Sequence, residues 1–266
     1  MTFSQIPALF ISHGAPLFAL EPGETGPALT RWGQQLAAAQ PLRGVVILSP
    51  HWMARSPTVM TSPAPQTWHD FGGFPPPLYE LQYPAVGNPA LAQEVLDLLA
   101  AAGMPAQADA TRPLDHGAWV PLMHLFPRAD VPVVQVALPV HWGPAQVLAM
   151  GRALSGLRER GVLLVGSGSM THNLSEFFGG AREPAPYVVA FSRWIESALA
   201  RGDEAALLDY RAQAPQAARA HPSDDHFLPL FFALGAAGEN PRPDYLSREV
   251  MYGMLAMDTF ALQSAD

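Results

Sequence analysis

The chain of 266 residues contains no cysteine. This absence excludes disulfide bonds, thiolate zinc sites and a cysteine nucleophile, so nitrogen and oxygen atoms must hold any bound metal. No apolar run approaches the roughly 20 residues that a membrane-spanning helix needs. The amino terminus also lacks the basic, apolar and small-residue segments of a signal peptide. We therefore expect a cytoplasmic protein with no membrane partner.

Charged residues are scarce as well. They make up 14% of the chain, against 49% hydrophobic residues, and the net charge is -8. This composition is typical of a compact globular protein with an acidic surface, which is a poor candidate for binding nucleic acid. The length suits one large α/β domain or two small ones. Because the chain has no repeat and no low-complexity linker, we predict a single domain over residues 1–266 and leave its oligomeric state open.

Short apolar runs alternate with helix-like segments along the chain. The runs have the composition of strands buried on both faces: Ala8–Ser12, Gly44–Ser49, Val131–Leu138 and Gly161–Gly166. The helix-like segments each begin with a proline: Pro27–Ala39, Pro89–Ala102, Pro144–Arg160 and Pro186–Ala200. This order predicts an α/β fold with a mainly parallel central sheet flanked by helices. Ser247–Leu262 indicates a further strand or hairpin, and the proline-rich stretch Pro63–Pro89 indicates a long functional loop.

Five of the nine histidines lie where a predicted strand ends or a helix begins: His13, His51, His116, His172 and His226. Imidazole is a common metal ligand and carries protons near neutral pH. Ligands of such sheets bind at the carboxyl ends of the strands, so we expect several of these rings to meet there. Each could by itself be an ordinary core or turn histidine. Their recurrence indicates a metal-centred active site.

Three histidines are candidate metal ligands from their position alone. His13 and His51 directly follow predicted strands and offer two nitrogen atoms. The third contribution is expected from the segment HPSDDHFLPLFFALG, whose paired aspartates favour a helix start and would place His226 in the first turn. An alternative is that an aspartate only caps this helix and that His221 and His226 are its neighbours.

His172 follows another predicted strand, in the segment GSGSMTHN. Small residues there allow the backbone to approach a ligand closely. Ser167 and Ser169 leave a serine nucleophile open, although the segment is not a G-x-S-x-G elbow and lacks the lysine of a phosphate loop.

The context of the other candidate side chains is less specific. His116 follows Asp115, whose carboxylate could orient its ring, or His116 could simply be a helix-start residue. His124 lies in an apolar helical stretch typical of a core histidine. Aromatic residues of neighbouring segments form an apolar wall or pack the long loop: Trp52, Phe71, Phe74 and Tyr79.

Six motifs together resemble the LigB-type class III extradiol ring-cleavage dioxygenases, in the branch similar to 4,5-DOPA extradiol dioxygenase. They are ISHGAP, LSPHW, WHDFGGFPPPLYELQYPAVGNP, LDHGAWVPL, GSGSMTHNL and HPSDDHFLPL, in this order, from about Leu9 to Gly238. The resemblance implies a single α/β domain of LigB-like fold with a non-haem Fe(II) ion. It also implies ring opening of a catechol by O₂ to a muconic semialdehyde.

The same resemblance assigns roles to the histidines. His13 and His51 match two metal ligands, and His172 matches an acid/base histidine that in this branch also reaches the metal. His116 matches a histidine near the substrate and oxygen. We further expect His116 and His221 to hydrogen-bond the substrate oxygens or the bound O₂.

His226 marks a departure from the better-studied extradiol enzymes, in which a glutamate completes a two-histidine, one-carboxylate triad. A third imidazole leaves the site more positive, unless Asp224 or Asp225 restores a carboxylate. It also suits zinc. Fe(II) is therefore expected for activity, and Zn(II) is plausible as the bound ion.

Two other functions stay open at this stage. A zinc hydrolase would use the same histidines to activate a water molecule, with His172 as its proton shuttle. A relative that has lost turnover would only bind the metal. The sequence does not identify the catechol.

Overall fold

The predicted strands form the centre of an eight-stranded sheet. The computed structural model describes residues 5–179 and 183–263. Its strands are β1 (Ala8–Ser12), β2 (Gly44–Ala54), β3 (Thr58–Met60), β4 (Gln107–Asp109), β5 (Val133–Pro139), β6 (Val162–Gly168), β7 (Arg242–Ser247), β8 (Val250–Met251), β9 (Leu255–Ala256) and β10 (Thr259–Gln263). The large sheet has the order β4-β3-β5-β2-β6-β1-β10-β7, and β8 and β9 form a separate pair.

The four central strands of the large sheet are parallel. β2 lies between β5 and β6, and β6 pairs with β1. Antiparallel pairing is confined to the flanks, where β10 joins β1 to β7 and β3 joins β5. A mainly parallel sheet was expected from the alternating order of the sequence, and this expectation is confirmed. The predicted strand or hairpin near the carboxyl terminus corresponds to the β8–β9 pair and β10.

Helices connect and cover the strands. They are α1 (Thr25–Ala39), α2 (Pro76–Glu80), α3 (Pro89–Ala101), α4 (His116–Leu125), α5 (Pro144–Leu154), α6 (Pro186–Arg201), α7 (Glu204–Leu208), α8 (Tyr210–Gln213), α9 (Ala217–Ala220) and α10 (Pro229–Ala237). Short 3₁₀ helices occupy Pro16–Ala19, Ser155–Arg160 and Leu174–Gly179. The helix predicted to reach Arg160 thus tightens to 3₁₀ geometry after α5. None of the helices in the described ranges has the length and apolar character that crossing a membrane requires.

Strand β6 shows how helices cover both faces of the sheet. Successive side chains of a strand point to opposite faces. The Ser167 hydroxyl contacts the Gly117 carbonyl of α4, whereas β-carbons at Gly166 and Gly168 would overlap the backbone carbonyls of Pro229 and His226 on the other side. Helix α4 therefore lies on one face, and α10 with the turn before it lies on the other. Glycine is needed in β6 because backbone approaches backbone there.

The sequence predicted that strand β2 ends at Ser49, and this prediction is wrong. The strand continues to Ala54, but its register with β5 shifts between Ser49 and Met53, which leaves residues 50–52 in a bulge. Pro50 has no N–H to donate to a neighbouring strand, and a bulge is where a sheet tolerates proline. The bulge re-aims the side chain of His51 towards the carboxyl edge of the sheet.

The packing of β6 against α10 gives a prediction about stability. Changing Gly166 to alanine should lower the free energy of unfolding by about 1–3 kcal/mol, because the new β-carbon must displace the Pro229 backbone. Gly156→Ala is the control, since this glycine is exposed with no atom within 4 Å of the added carbon. Its effect should stay within about 0.5 kcal/mol. Urea unfolding measures both, and equal midpoints for the two variants would contradict the packing.

Candidate metal centre

Five histidines converge at the carboxyl edge of the parallel strands. They come from the end of β1, the β2 bulge, the start of α4, the segment after β6 and the turn before α10: His13, His51, His116, His172 and His226. The centroids of neighbouring rings in this cluster lie 3.5–5.7 Å apart. The structure therefore brings together the five histidines that the sequence had singled out.

Three of these rings point their Nε2 atoms at one another. The Nε2 of His51 lies 3.1 Å from Nε2 of His13 and 3.3 Å from Nε2 of His226. His13 and His226 are buried, with exposures of 1% and 6%. The arrangement is the one expected if these three residues share a ligand.

Hydrogen bonds at Nδ1 fix the proton on two of the three rings. The Ser167 hydroxyl donates to the Gly117 carbonyl, so its oxygen must accept from Nδ1–H of His13, at 3.0 Å. The Nδ1–H of His226 donates to the Asp225 carboxylate at 2.6 Å. In both neutral rings Nε2 therefore carries a lone pair directed into the cluster, which is the state of a metal-binding histidine.

These lone pairs fit a divalent cation. A proton on Nε2 of His51 would be shared between two acceptors, whereas a cation accepts all three lone pairs. Two imidazole nitrogens bound tetrahedrally at about 2.0–2.1 Å lie about 3.3 Å apart, close to the observed spacing. Burial, followed by the neighbouring imidazoles, lowers the pKa of His13 and His51 well below the ordinary value, so both rings are in the neutral form that binds metals.

His116 offers a second way to complete a three-histidine group. One of its nitrogens lies within 4.8 Å of ligand nitrogens of His13 and His51. Its ring packs against that of His51, with centroids 3.8 Å apart. The Nδ1 atom faces Oδ1 of Asp70 at 2.9 Å, which leaves Nε2 available.

Of the two alternatives that the sequence left open, orientation of the His116 ring by Asp115 is wrong, and His116 is instead the first residue of helix α4. The Asp115 carboxylate is fully buried and binds Ser49 Oγ, Arg112 and Gln135 beneath the site. Adjacent residues at the start of a helix point in different directions, so sequence proximity was a poor guide here.

Asp70 contacts the histidine cluster and was missed by sequence reasoning. It comes from the predicted long loop between β3 and α3, and its side chain is only 8% exposed. Burial raises the pKa of Asp70, but the hydrogen bonds from His116 outweigh burial and hold the pKa below its ordinary value. The available signal was its place in the WHDF motif, but its partner lies 46 residues further along the chain.

The turn that carries His226 differs from the sequence prediction. Helix α10 begins at Pro229, so His226 lies in the preceding turn and not in the first helical turn. Asp224 accepts from the Tyr210 hydroxyl and pairs with Arg211, and Asp225 binds His226. Both carboxylates have these partners, so neither takes the place of His226 in the cluster.

His172 and His221 occupy different environments. The His172 ring stacks on that of His226, with centroids 3.5 Å apart and planes 5° apart, and neither of its nitrogens has a hydrogen-bond partner within the described residues. Burial and the neighbouring imidazoles lower the pKa of His172 to about 2. His221 is fully buried behind Met170, whose carbonyl accepts from its Nε2 at 2.9 Å. The structure brings His172 to the cavity and leaves His221 outside its wall.

An open cavity of about 290 Å³ lies over the cluster. Its wall is mostly apolar and consists of Gly14, Ala15, Pro16, His51, Phe71, Gly72, Phe74, His116, His172, Leu174, Phe177 and His226. Phe71 and Phe74 line the cavity, which agrees with the interpretation of these aromatic residues as an apolar wall. Trp52 instead packs under the Arg112 guanidinium. Leu174 and Phe177 were not anticipated.

Two other sequence interpretations are settled by hydrogen bonds. Ser167 and Ser169 are fully buried, and their hydroxyls donate to the carbonyls of Gly117 and Thr171, so the serine-nucleophile reading is wrong. His124 donates to the Phe18 carbonyl at 2.9 Å and is half-buried, so its hydrogen bond is satisfied as expected, although the residue lies at the edge of the core.

Comparison with known proteins gives consistent matches over nearly the whole chain. The sequence model of the family described as the catalytic LigB subunit of aromatic ring-opening dioxygenase matches residues 7–258. A protein named 4,5-DOPA dioxygenase extradiol from Beta vulgaris is 37% identical over 96% of both chains. One of the same name from Escherichia coli K12 is 36% identical over 91% of this chain and 89% of its own. The crystal structure of an uncharacterized protein from Escherichia coli K12 aligns with a TM-score of 0.79 at 28% identity, covering 96% of this chain and 99% of that chain.

The cluster geometry predicts one divalent ion per chain. His13→Ala and His51→Ala should each abolish binding, because each removes a convergent lone pair. His226→Ala should also lose the ion, whereas His116→Ala should retain it, because the Nε2 atoms of His13, His51 and His226 converge without His116. His141→Ala, at an exposed histidine, is the control. Metal analysis of the purified variants decides whether His226 or His116 is the third ligand beside His13 and His51. Loss of metal in His116→Ala but not in His226→Ala would reverse the assignment.

Proposed function

The chain belongs to the family of catalytic LigB subunits of aromatic ring-opening dioxygenases and is an extradiol dioxygenase, and we propose that it opens the ring of a catechol with O₂ to give a muconic semialdehyde. The proposal includes a non-haem Fe(II) ion as the active cofactor. The observation that carries it is the convergence of three Nε2 atoms at the floor of a cavity whose wall holds two further histidines.

We assign the metal to His13, His51 and His226. Their Nδ1 positions support this role, since Ser167 and Asp225 hold two of the rings with the lone pair directed inward. Ferrous iron, when bound, would supply open coordination positions for catechol and O₂ and would pass electrons from the catechol to O₂.

His172 is the proposed acid/base residue. Binding of a catechol through both oxygens requires loss of a hydroxyl proton, and the uncommitted nitrogens of the neutral His172 lie at the cavity wall. The negative charge of the bound catecholate would raise the pKa of His172, so that the ring can hold this proton. The stacked His226 ring keeps the plane of His172 fixed while its edge stays available. The same residue can return the proton to a product oxygen later in the reaction.

The cavity favours a flat aromatic substrate. Phe71 and Phe74 lie on one side, and Leu174 and Phe177 provide further apolar surface for the catechol ring. Because relatives at 34–37% identity carry the name 4,5-DOPA dioxygenase extradiol, DOPA is the first catechol to test. The proposed catalytic unit is the whole chain, residues 1–266, and the proposed location is the cytoplasm.

Metal exchange tests the cofactor. Three neutral imidazoles bind zinc more tightly than ferrous iron, so the isolated protein should often carry zinc and lack ring-cleavage activity. Anaerobic removal of zinc and loading with Fe(II) should produce a yellow ring-fission product from DOPA or another catechol, followed by its absorbance. Ring cleavage by iron-free, zinc-loaded protein would contradict the Fe(II) assignment. Ester hydrolysis by the zinc form, with no catechol turnover by the iron form, would instead favour the zinc hydrolase.

Substitution of His172 separates catalysis from metal binding. His172→Phe and His172→Gln should lower turnover by at least about 10²-fold, as expected for loss of a general acid/base. Their iron content should match that of the wild type, because the three proposed ligands are unchanged. His141→Gln, at an exposed histidine, serves as the control. If iron is lost in proportion to activity, His172 is a metal ligand, and normal turnover would exclude the acid/base role.

A further inference from the structure

We infer that Asp70 is a positioning residue: its contact with Nδ1 and the backbone N–H of His116 holds that ring with its Nε2 lone pair directed at the substrate. His116 then accepts a hydrogen bond from the catechol hydroxyl that keeps its proton. The consequence for catalysis rests on the proposed function, whereas the state of the His116 ring does not depend on it.

Asp70 takes the place of a missing helix cap. The residue before α4, Asp115, makes no side-chain cap hydrogen bond, because its carboxylate is bound beneath the site. Oδ1 of Asp70 instead accepts from the His116 backbone N–H at 2.9 Å. Free N–H groups and the helix dipole both favour a negative charge at this position. The helix start therefore fixes an ionised carboxylate beside the ring.

That carboxylate decides which ring nitrogen carries the proton. Oδ1 of Asp70 lies 2.9 Å from Nδ1 of His116, and an ionised carboxylate can only accept hydrogen bonds. Nδ1 must therefore be protonated, and Nε2 of the neutral ring is left as an acceptor. The opposite tautomer would place two acceptors in contact.

Neighbouring rings prevent the imidazole ring of His116 from flipping. His51 packs on its face at a centroid distance of 3.8 Å, and Phe71 meets it edge-on at 5.5 Å with an interplanar angle of 86°. Oδ2 of Asp70 also lies 3.9 Å from Nδ1 of His51, which is within electrostatic contact but too long for a hydrogen bond. One carboxylate thus contacts the ring at the cavity wall and approaches a proposed metal ligand.

The orientation of the His116 ring gives His116 and His172 different roles at the cavity. A neutral His116 with its lone pair on Nε2 cannot donate a proton to a bound oxygen, but it can accept a hydrogen bond from a hydroxyl. His172 has no such carboxylate partner and remains the residue that takes up and returns the proton. His116 therefore selects substrates that retain one hydroxyl proton when they bind.

The tautomer can be measured without metal or substrate. Long-range ¹H–¹⁵N spectra of ¹⁵N-labelled, metal-free protein above about pH 8, where histidine is normally neutral, should show His116 protonated at Nδ1. Its signals are those that disappear in His116→Gln. In Asp70→Asn the side-chain amide can donate to Nδ1, so the ring should change to the Nε2–H form or exchange between forms. Glu80→Gln, at an exposed carboxylate at the end of α2, should leave the spectrum unchanged, and Asp70→Glu should preserve the wild-type tautomer.

Kinetics of the iron-loaded protein test whether Asp70 acts through His116. Asp70→Asn should lower kcat/KM for a catechol by about tenfold, the effect of one hydrogen bond, with unchanged iron content and partial rescue in Asp70→Glu. In the His116→Gln background the same substitution should have no further effect.

Three results would overturn the inference: a wild-type His116 ring that is doubly protonated or protonated at Nε2, a tautomer that survives in Asp70→Asn, or an equal kinetic loss in the His116→Gln background. If the wild-type protein turns over no catechol, the proposed function fails, but the spectra still decide the role of Asp70.

Discussion

A chain of two hydrogen bonds organises the metal-binding edge of this protein. His13 at the end of β1 donates to Ser167 of β6, and Ser167 donates to the Gly117 carbonyl in α4. Both bonds are buried, where leaving either donor unpaired would cost about 1–3 kcal/mol. Two neighbouring strands and the helix above them are therefore tied at one point, and the tie sets the ring of His13 with Nε2 directed into the cluster. The remaining histidines assemble around this fixed ring.

The cluster also depends on backbones that approach more closely than side chains would permit. A β-carbon at Gly117 would overlap the Ser49 hydroxyl and come within 2.8 Å of Cδ2 of His51. A β-carbon at Gly168 would overlap the His226 carbonyl on the other face of the sheet. These glycines let α4 and the turn before α10 reach the strand ends. Because protein interiors are closely packed, a small displacement of the main chain is transmitted to the side chains. The positions of the imidazoles are therefore set by main-chain contacts as much as by the rings themselves.

Local patterns in the sequence predicted much of this architecture, and they failed where distant contacts decide. Strand β1 and helix α3 follow their predicted bounds almost residue for residue, because apolar runs and an initial proline are local signals. The predicted end of β2 was wrong because the bulge that follows Ser49 depends on pairing with β5. The partner of His116 was not predicted, because Asp70 comes from a loop 46 residues away along the chain. Residues on separate elements meet through tertiary packing, which no single stretch of sequence encodes.

The metal site that we propose is built from imidazoles, with carboxylates placed behind them. Asp225 binds Nδ1 of His226, and Asp70 binds His116 while approaching His51. Burial raises the pKa of Asp225, but its contact with His226 outweighs burial and lowers the pKa well below the ordinary value, so this carboxylate is ionised. Negative charge therefore lies one imidazole away from the metal position. These carboxylates would compensate part of the charge of a divalent cation held by three neutral nitrogens. Each carboxylate also fixes the proton of the ring that it contacts. Electrostatic balance and ring orientation thus come from the same two side chains.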